Sequence, residues 1–185
     1  AFLTRTALEE EVLVGIRPAE DEARHIHEVA ERILSRVESS GKATAMMVGS
    51  VARGTWIHGD RDLDIFLLFD PSLPREELEI QGLSLAREIA HAESGRFREK
   101  YAEHPYINAS IDGLDVDLVP CYQVESAACI QSAVDRTPFH TRYIMERISP
   151  FVDDVLLLKQ FAKAGGIYGS DQMTEGFAGY LCELL

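Results

Sequence analysis

Apolar residues recur every three or four positions in several stretches of the chain, which is the period of an amphipathic helix. Residues 18–38 show this pattern most fully: they start at Pro18, carry three acids at positions 20–22 and are ended by Ser-Ser-Gly. Acids are favourable at the positive end of the helix dipole, and glycine readily takes the conformation that ends a helix. The pattern predicts a helix over 18–38 and others over about 6–16, over about 75–92 and beyond residue 138.

Short runs dominated by apolar residues separate these helices and predict β-strands. Residues 44–48 lead directly into Gly49, and a brief helix through about Thr55 is expected next. Residues 62–69 form a second run, stopped by an Asp-Pro pair.

Two alternating strands, 106–111 and 114–119, surround Asp112-Gly113, a strong hairpin signal, and Pro120 is expected to close the hairpin.

These elements predict an α/β (α+β) fold with a small mixed or antiparallel sheet flanked by helices. Residues 1–138 are expected to form this domain, and residues 139–185 to begin a second, helical domain.

The composition is that of a soluble globular protein, with 46% hydrophobic and 26% charged residues among 185. No apolar run approaches the roughly 20 residues that span a membrane, and the start of the chain lacks the apolar core of a secretory signal. Three cysteines are too few and too irregularly spaced for a disulfide framework or a zinc site; they are Cys121, Cys129 and Cys182. We therefore expect reduced, partly buried thiols and a cytoplasmic protein without membrane association.

The formal net charge of -13 argues against nonspecific nucleic-acid binding by the surface as a whole. It is compatible with a local basic patch.

Carboxylates interrupt two of the predicted strands at alternate positions. Asp62 and Asp64 lie two residues apart and therefore share one face of their strand, and Asp115 and Asp117 repeat this spacing. Four acids in one small sheet repel each other unless cations neutralise them, and Mg²⁺ prefers such oxygen ligands. The alternative, a strand with a solvent-facing acidic edge, does not account for the second acidic strand.

A phosphate-binding turn precedes the first acidic strand. Gly49 and Ser50 lie at a predicted strand-to-helix junction, where free backbone amides favour an anion, and Arg53 follows one turn later. In two-metal chemistry, Asp62, Asp64 and Asp117 would hold an ion that activates a hydroxyl, while Asp62 and Asp64 hold one that binds a triphosphate. The pattern indicates in-line nucleotidyl transfer.

These residues also resemble the signature of the polymerase-beta-type nucleotidyltransferase superfamily. Longer segments resemble the archaeal (class I) CCA-adding tRNA nucleotidyltransferases, and the resemblance runs from about residue 40 to the end. The segments are 49–56 (GSVARGTW), 101–106 (YAEHPY), 115–122 (DVDLVPCY), 132–140 (SAVDRTPFH), 166–169 (GIYG) and 176–184 (GFAGYLCEL).

The resemblance implies an enzyme that completes the 3′ end of tRNA with C, C and A from CTP and ATP, without a nucleic-acid template. Its implied partners are the tRNA acceptor end and the two nucleotides, with a homodimer as the candidate assembly. It implies positions around the triphosphate and ribose for Gly49, Ser50, Arg53, Thr137, Lys159 and Tyr168. His140, as a nucleotide-binding residue, and His104 would lie near the nucleotide or the RNA primer end.

The chain departs from the family pattern in two respects. Asp62 stands where the family often has glutamate, which shortens the ligand by one methylene. Family members are also more than twice as long, so the chain is expected to be an N-terminal fragment. An arginine that helps to read the incoming base is expected beyond Leu185.

Other readings remain open at this point. A poly(A) polymerase or a small-substrate nucleotidyltransferase would share the same carboxylates, and a catalytically silent nucleotide- or RNA-binding fragment could keep the same sheet. Lys159 could be a solvated helix charge, and Tyr168 could serve in packing alone.

Overall fold

A computed structural model describes residues 5–93, 95–101, 104–132, 134–169 and 176–185. Its helices are α1 (Ala7–Ile16), α2 (Glu20–Ser40), α3 (Gly49–Arg53), α4 (Arg75–Glu93), α5 (Thr137–Met145), α6 (Val152–Ala164) and α7 (Gly179–Leu184). Its strands are β1 (Thr44–Val48), β2 (Asp62–Phe69), β3 (Phe97–Tyr101), β4 (Pro105–Ile111) and β5 (Leu114–Tyr122). Parts of the segments 101–106 and 132–140, and the first four residues of the chain, lie outside the described residues.

The strands form one mixed sheet in the order β1-β2-β5-β4-β3. β2 and β5 are parallel, whereas the other neighbouring pairs are antiparallel. This arrangement confirms the predicted fold class, a small mixed sheet flanked by helices.

One face of the sheet carries the main hydrophobic core, against α2 and α4. Alternate residues of the central strands point into it, as the period of a strand requires. The fully or almost fully buried residues of this face are Leu63, Ile65, Leu67, Val116 and Leu118. Because these apolar positions alternate with the acids, packing the core directs the acids to the opposite face.

The opposite face is covered only in part. At one end Val48, Phe66, Leu68 and Cys121 form a small apolar cluster, against which Val134 packs. The other end carries the carboxylates instead.

A separate apolar cluster joins the N-terminal helix to a helix from the end of the chain. Leu13 and Ile16 of α1 pack with Ile57 and with Leu156 of α6. The helical segment beyond residue 151 is thereby held beside the sheet and can contribute side chains to its open end.

Most of the predicted elements are confirmed, with small shifts of their bounds. The hairpin turn takes positive φ at both central residues, 48° at Asp112 and 82° at Gly113, as a type I′ turn requires. The helix predicted over 18–38 spans Glu20–Ser40, and Gly41 ends it with φ of 66°.

Two details of the strand prediction were wrong. Pro120 does not close the hairpin: β5 continues to Tyr122, and Pro120 pairs in register with Leu67 of β2. Pairing with β4 ends at Leu118, so the missing N–H of the proline faces no lost partner on that side. The sequence prediction also lacked β3, a polar edge strand that has no apolar alternation to reveal it.

The three cysteines are free thiols; Cys121 and Cys182 are buried and Cys129 is exposed. Across the described residues, every helix is too short or too polar to cross a membrane.

Candidate active site

The register of the two parallel strands places the four acids side by side. Asp62 pairs with Asp115, and Asp64 pairs with Asp117, across β2 and β5. Neighbouring strands lie about 4.8 Å apart, and in-register residues point to the same face. The structure therefore brings together the three predicted metal ligands, with Asp115 beside them.

The turn after β1 is pressed against this cluster. Gly49 has φ of 75°, and a Cβ atom built on it would lie 2.1 Å from Oδ2 of Asp64. Only glycine allows both this conformation and this approach. The turn between β1 and α3 is consequently fixed directly against the carboxylate.

We expect Gly49→Ala to abolish nearly all activity, because the new methyl group must displace either the turn or the Asp64 carboxylate. Gly54→Ala is a matched control: Gly54 ends α3 with φ of 70°, but no atom lies within 4 Å of its added Cβ. Both variants should lose about 1–2 kcal/mol of stability to left-handed backbone strain. Equal activity in the two variants, measured under the same conditions, would contradict this assignment.

Burial and mutual repulsion make these acids hard to ionise. Desolvation, followed by the charges of Asp117 and Asp62, raises the pKa of Asp64 to about 6. Desolvation is also the main cause that raises the pKa of Asp62, to which the Asp60 charge adds. Burial and repulsion thus raise the free energy of the ionised acids, and a bound cation would lower it.

Asn108 of β4 donates hydrogen bonds to both acids of β5. Its Nδ2 donates to Oδ1 of Asp117 at 2.6 Å and also donates to Oδ1 of Asp115. Desolvation raises the pKa of Asp117, and the hydrogen bond from Asn108 opposes this rise. Asn108 therefore stabilises Asp117 in its ionised form, the form that a metal ligand must have.

The acids fit a divalent cation in donor type, since carboxylate oxygens are the preferred ligands of Mg²⁺, and they share one face. In the described part of the chain, however, no three His, Cys, Asp or Glu side chains are arranged so that they could hold a metal ion. Asn108 of β4 donates hydrogen bonds to Asp117 and Asp115. Binding of one ion by Asp62, Asp64 and Asp117 therefore requires their carboxylates to move.

Basic and hydroxyl side chains line the same cleft, which has a volume of about 330 Å³. Together with the four acids, the lining includes Ser50, Arg53, Lys159 and Tyr168. The structure therefore places the predicted turn, the predicted acids and three other predicted residues in one cavity.

The two basic residues of the cleft, Arg53 and Lys159, contact the buried carboxylate of Glu183. Nζ of Lys159 donates to the backbone oxygen of Thr55 at 2.9 Å and to Oε1 of Glu183 at 3.2 Å. Nε of Arg53 lies 2.6 Å from Oε2 of Glu183, although the two atoms are not aligned as a hydrogen bond. The Lys159 side chain is only 3% exposed, so the solvated-charge reading of Lys159 was wrong.

The Tyr168 hydroxyl lies close to Lys159 and to Gly179, the first residue of α7. A Cβ atom built on Gly179 would lie 2.8 Å from its hydroxyl oxygen and 3.6 Å from Nζ of Lys159. Desolvation raises the pKa of Tyr168 to about 12, so its hydroxyl keeps its proton. Tyr168 can therefore donate a hydrogen bond into the cleft.

Three predicted residues are not among those that line the cleft. His140 stacks on Tyr180 with ring centroids 4.5 Å apart, and Cζ of Arg53 lies 6.0 Å from the same Tyr180 ring centroid. Desolvation lowers the pKa of His140. Thr137 begins α5. His104 lies at the N-terminal end of β4, where its Nδ1 is 3.0 Å from Nη2 of Arg75 in α4.

Sequence reasoning missed two residues that organise the site. Asn108 lies on a strand whose polar positions alternate with apolar ones, a pattern that could have placed it on the acidic face. Glu183 lies within the recognised segment 176–184, but no local pattern indicates that its partners are Arg53 and Lys159.

Comparison with known proteins identifies two family matches. Residues 26–148 match the family model described as nucleotidyltransferase domain, and residues 153–185 match the one described as tRNA nucleotidyltransferase, second domain.

Curated relatives are similar along nearly the whole chain. The CCA-adding enzyme of Methanoregula boonei is 67% identical and that of Methanosarcina acetivorans 47% identical, with 98% and 94% of this chain covered. The corresponding enzyme of Haloarcula marismortui is 49% identical over 91% of the chain. The matches cover 40%, 39% and 36% of these relatives, so the chain spans about two fifths of their length.

Solved structures share the fold at low sequence identity. The Cid1 poly(U) polymerase matches with a TM-score of 0.70 at 18% identity, covering 96% of this chain and 52% of Cid1. The E. coli protein CdnC, solved with ATP, matches with a TM-score of 0.69 at 18% identity, covering 96% of this chain and 63% of CdnC. With the acids, the glycine turn and the family match over 26–148 in agreement, this chain belongs to the nucleotidyltransferase-domain family.

Proposed function

We propose that this chain supplies the catalytic part of an enzyme that adds C, C and A to the 3′ end of tRNA from CTP and ATP without a nucleic-acid template. The pairing of Asp64 with Asp117 beside the Gly49 turn carries the proposal, because it provides carboxylates and a phosphate-binding turn in one cleft. Similarity to CCA-adding enzymes of 67% and 47% identity supports the choice of tRNA. In this proposal residues 1–138 are the catalytic head and residues 139–185 begin the central domain.

Nucleotidyltransferases generally use divalent metal ions, and we propose Mg²⁺ held by Asp62, Asp64 and Asp117. When bound there, Mg²⁺ would neutralise charge on the triphosphate and lower the pKa of the attacking hydroxyl. The raised pKa values of the three acids support this role, because a cation would favour the ionised forms.

The basic side of the cleft is proposed to orient the triphosphate. The hydroxyl of Ser50 and the backbone amides at the start of α3 are proposed to donate to phosphate oxygens. Lys159 and Arg53 supply positive charge, and Tyr168 supplies a hydroxyl donor. As the resemblance implies, Thr137 is proposed to lie near the triphosphate and ribose. His140 and His104 are proposed to lie near the nucleotide or the RNA primer end.

The proposed reaction is an in-line displacement at phosphorus. The terminal 3′ oxygen of the RNA attacks the α-phosphorus of the nucleotide, the bond to the β-phosphate oxygen breaks, and pyrophosphate leaves. Asp117, which accepts a hydrogen bond from Asn108, is proposed to accept the hydroxyl proton in its ionised form.

We expect the intact protein, supplied with tRNA lacking its terminal CCA, to add two C residues and then one A. Each nucleotide is offered separately and in mixtures, and the products are resolved at single-nucleotide length on a sequencing gel. Addition of long A tracts would instead indicate a poly(A) polymerase. Transfer to a small acceptor alone would indicate a small-substrate transferase, and absence of any transfer a silent binding module.

The cytoplasmic location and the homodimer are further parts of the proposal. Fractionation of cells and sedimentation of the purified protein, respectively, would test them.

A further inference from the structure

The N-terminal helix α1 precedes the residues that either family model matches, and the described residues that line the carboxylate cleft include none from α1. The helix is nevertheless well formed. Thr6 and Glu9 make a capping box at its start, in which each side chain accepts a hydrogen bond from the backbone N–H of the other. Leu13 and Ile16 give it a buried face.

The buried face of α1 contacts two different segments of the chain. Leu13 and Ile16 pack against Ile57, which lies between α3 and β2, and against Leu156 of α6. Residues 54–61 are called the α3–β2 connection below. The backbone adds a further contact to this connection, because the N–H of His58 donates to the oxygen of Ile16 at 2.8 Å.

An ion pair adds a further contact between the end of α1 and α6. Arg17, which follows α1 directly, donates from Nε and Nη2 to the two carboxylate oxygens of Asp153 at 3.0 and 2.9 Å. Asp153 lies in the first turn of α6. The hydrogen bond from Arg17 is the main cause that lowers the pKa of Asp153, so the pair is charged at neutral pH. Two parallel N–H···O bonds also fix the relative orientation of the partners.

The same two segments meet again at Lys159 in the cleft. Leu156 lies one turn before Lys159 on α6, and Ile57 lies two residues after Thr55 in the α3–β2 connection. Nζ of Lys159 donates to the backbone oxygen of Thr55 at 2.9 Å. A buried ammonium on a flexible stem keeps its position only while such partners stay in place. A shift of α6 away from the connection would break this hydrogen bond.

We propose that α1 positions Lys159 in the cleft by fixing α6 against the α3–β2 connection, with Leu13 and Arg17 as the positioning residues. The consequence for catalysis rests on the proposed function, in which Lys159 faces the triphosphate. A nucleotide then meets an ammonium that is already in place. Weakening the contacts of α1 lowers nucleotide affinity although every residue that lines the cleft is unchanged.

The first measurement follows the position of Lys159 without any nucleotide. The intact protein is acetylated with a limiting amount of acetic anhydride, and peptide mass spectrometry gives the labelling rate of Lys159 relative to Lys42, whose side chain is 49% exposed. Lys159 is protected in the wild type, because its side chain is only 3% exposed. Leu13→Ala should raise its relative labelling rate about tenfold, because part of the cost of a Leu→Ala cavity falls on this contact.

Leu85→Ala is the matched control, since Leu85 is also a buried leucine but lies on α4 in the main core. Denaturant unfolding establishes that both variants are folded under the labelling conditions. A loss of stability without a positioning role would increase the labelling of Lys159 equally in the two variants. Equal labelling in Leu13→Ala and Leu85→Ala therefore overturns the inference.

The second measurement is CTP affinity in the presence of Mg²⁺. Leu13→Ala and Lys159→Met should each weaken binding by about tenfold, comparable with loss of one charge-assisted contact. The double variant should bind no more weakly than Lys159→Met alone, because α1 acts through Lys159. Losses that add in the double variant would contradict this.

Arg17→Ala provides a variant that leaves the apolar contacts of α1 intact. It should weaken CTP binding by about threefold, as expected for a partly exposed ion pair, and Arg17→Lys should restore part of the affinity. Wild-type affinity in both Arg17 variants would remove Arg17 from the positioning residues.

The two proposals can fail separately. Unchanged labelling in Leu13→Ala, together with weak CTP binding by Lys159→Met, disproves the positioning role of α1 alone. Increased labelling with unchanged CTP affinity supports the positioning role and disproves the proposed contact between Lys159 and the triphosphate.

Discussion

Asp64→Asn is expected to reduce nucleotidyl transfer by roughly a thousandfold or more, comparable with removal of a strong electrostatic contact to the transition state. The amide keeps the shape of the side chain but loses the charge that a cation requires. The measurement is the rate of single-nucleotide addition to tRNA with saturating CTP and Mg²⁺. Asp21→Asn, an exposed position in the first turn of α2, should remain fully active.

The same substitution should stabilise the protein in the absence of metal. The pKa of Asp64 is about 6 in the folded state, above the ordinary value near 3.9, so the folded state binds the proton more tightly than the unfolded state. The stabilisation from that proton is fully present below about pH 4 and is lost as the pH rises through about 6. Removing the charge should therefore add about 2–3 kcal/mol at pH 7.

Denaturant unfolding in a metal chelator at pH 7 and at pH 4 tests this account. The stability difference between Asp64→Asn and the wild type should be large at pH 7 and nearly absent at pH 4. A variant that is both inactive and less stable at pH 7 would show that Asp64 supports the fold, contrary to the assigned role.

Glu183→Gln is the second change from which we expect a large effect. The side chain of Glu183 is fully buried and contacts Arg53, Lys159 and the Thr55 hydroxyl. Loss of its charge removes the buried carboxylate that Arg53 and Lys159 contact, and breaking such a pair costs about 3–5 kcal/mol. Nucleotide binding should weaken with it, because the two cations line the cleft.

Glu88→Gln provides the matched control, since Glu88 pairs with Lys42 at 2.9 Å and both side chains are about half exposed. Its free energy of unfolding should change by less than about 1 kcal/mol. Adding Lys159→Met to Glu183→Gln should restore part of the lost stability, because it removes one of the uncompensated charges. Equal losses in the free energy of unfolding for Glu183→Gln and Glu88→Gln would show that the buried contacts of Glu183 stabilise the protein no more than an exposed ion pair.

The sheet and its acidic face could be predicted from local pattern. A strand has a period of two, so Leu63 and Ile65 had to share a face opposite to Asp62 and Asp64. The Asp112-Gly113 pair specified the hairpin because few other residues accept positive φ at both turn positions. In each case the residues that carry the signal lie within a few positions of one another, where sequence spacing and geometry are tightly linked.

Strand β3 and the path of β5 through Pro120 required the tertiary structure. β3 is a polar edge strand and shows no apolar alternation, so only its pairing with β4 identifies it. Pro120 is acceptable within β5 because β4 no longer pairs with the strand at that point. In both cases the neighbour, rather than the local residues, determines the outcome.

The same distinction between local pattern and tertiary structure applies to the carboxylate cleft. The sequence by itself determined that Asp62 and Asp64 share a face, and it predicted a phosphate-binding turn at Gly49. Only the tertiary structure placed Asp117 opposite Asp64 and brought Glu183 to Lys159 and Arg53. The physical reason is that periodicity specifies the direction of a side chain along its own element. The identity of its partner depends on how the elements pack together, and residues 53 and 183 meet only after that packing is complete.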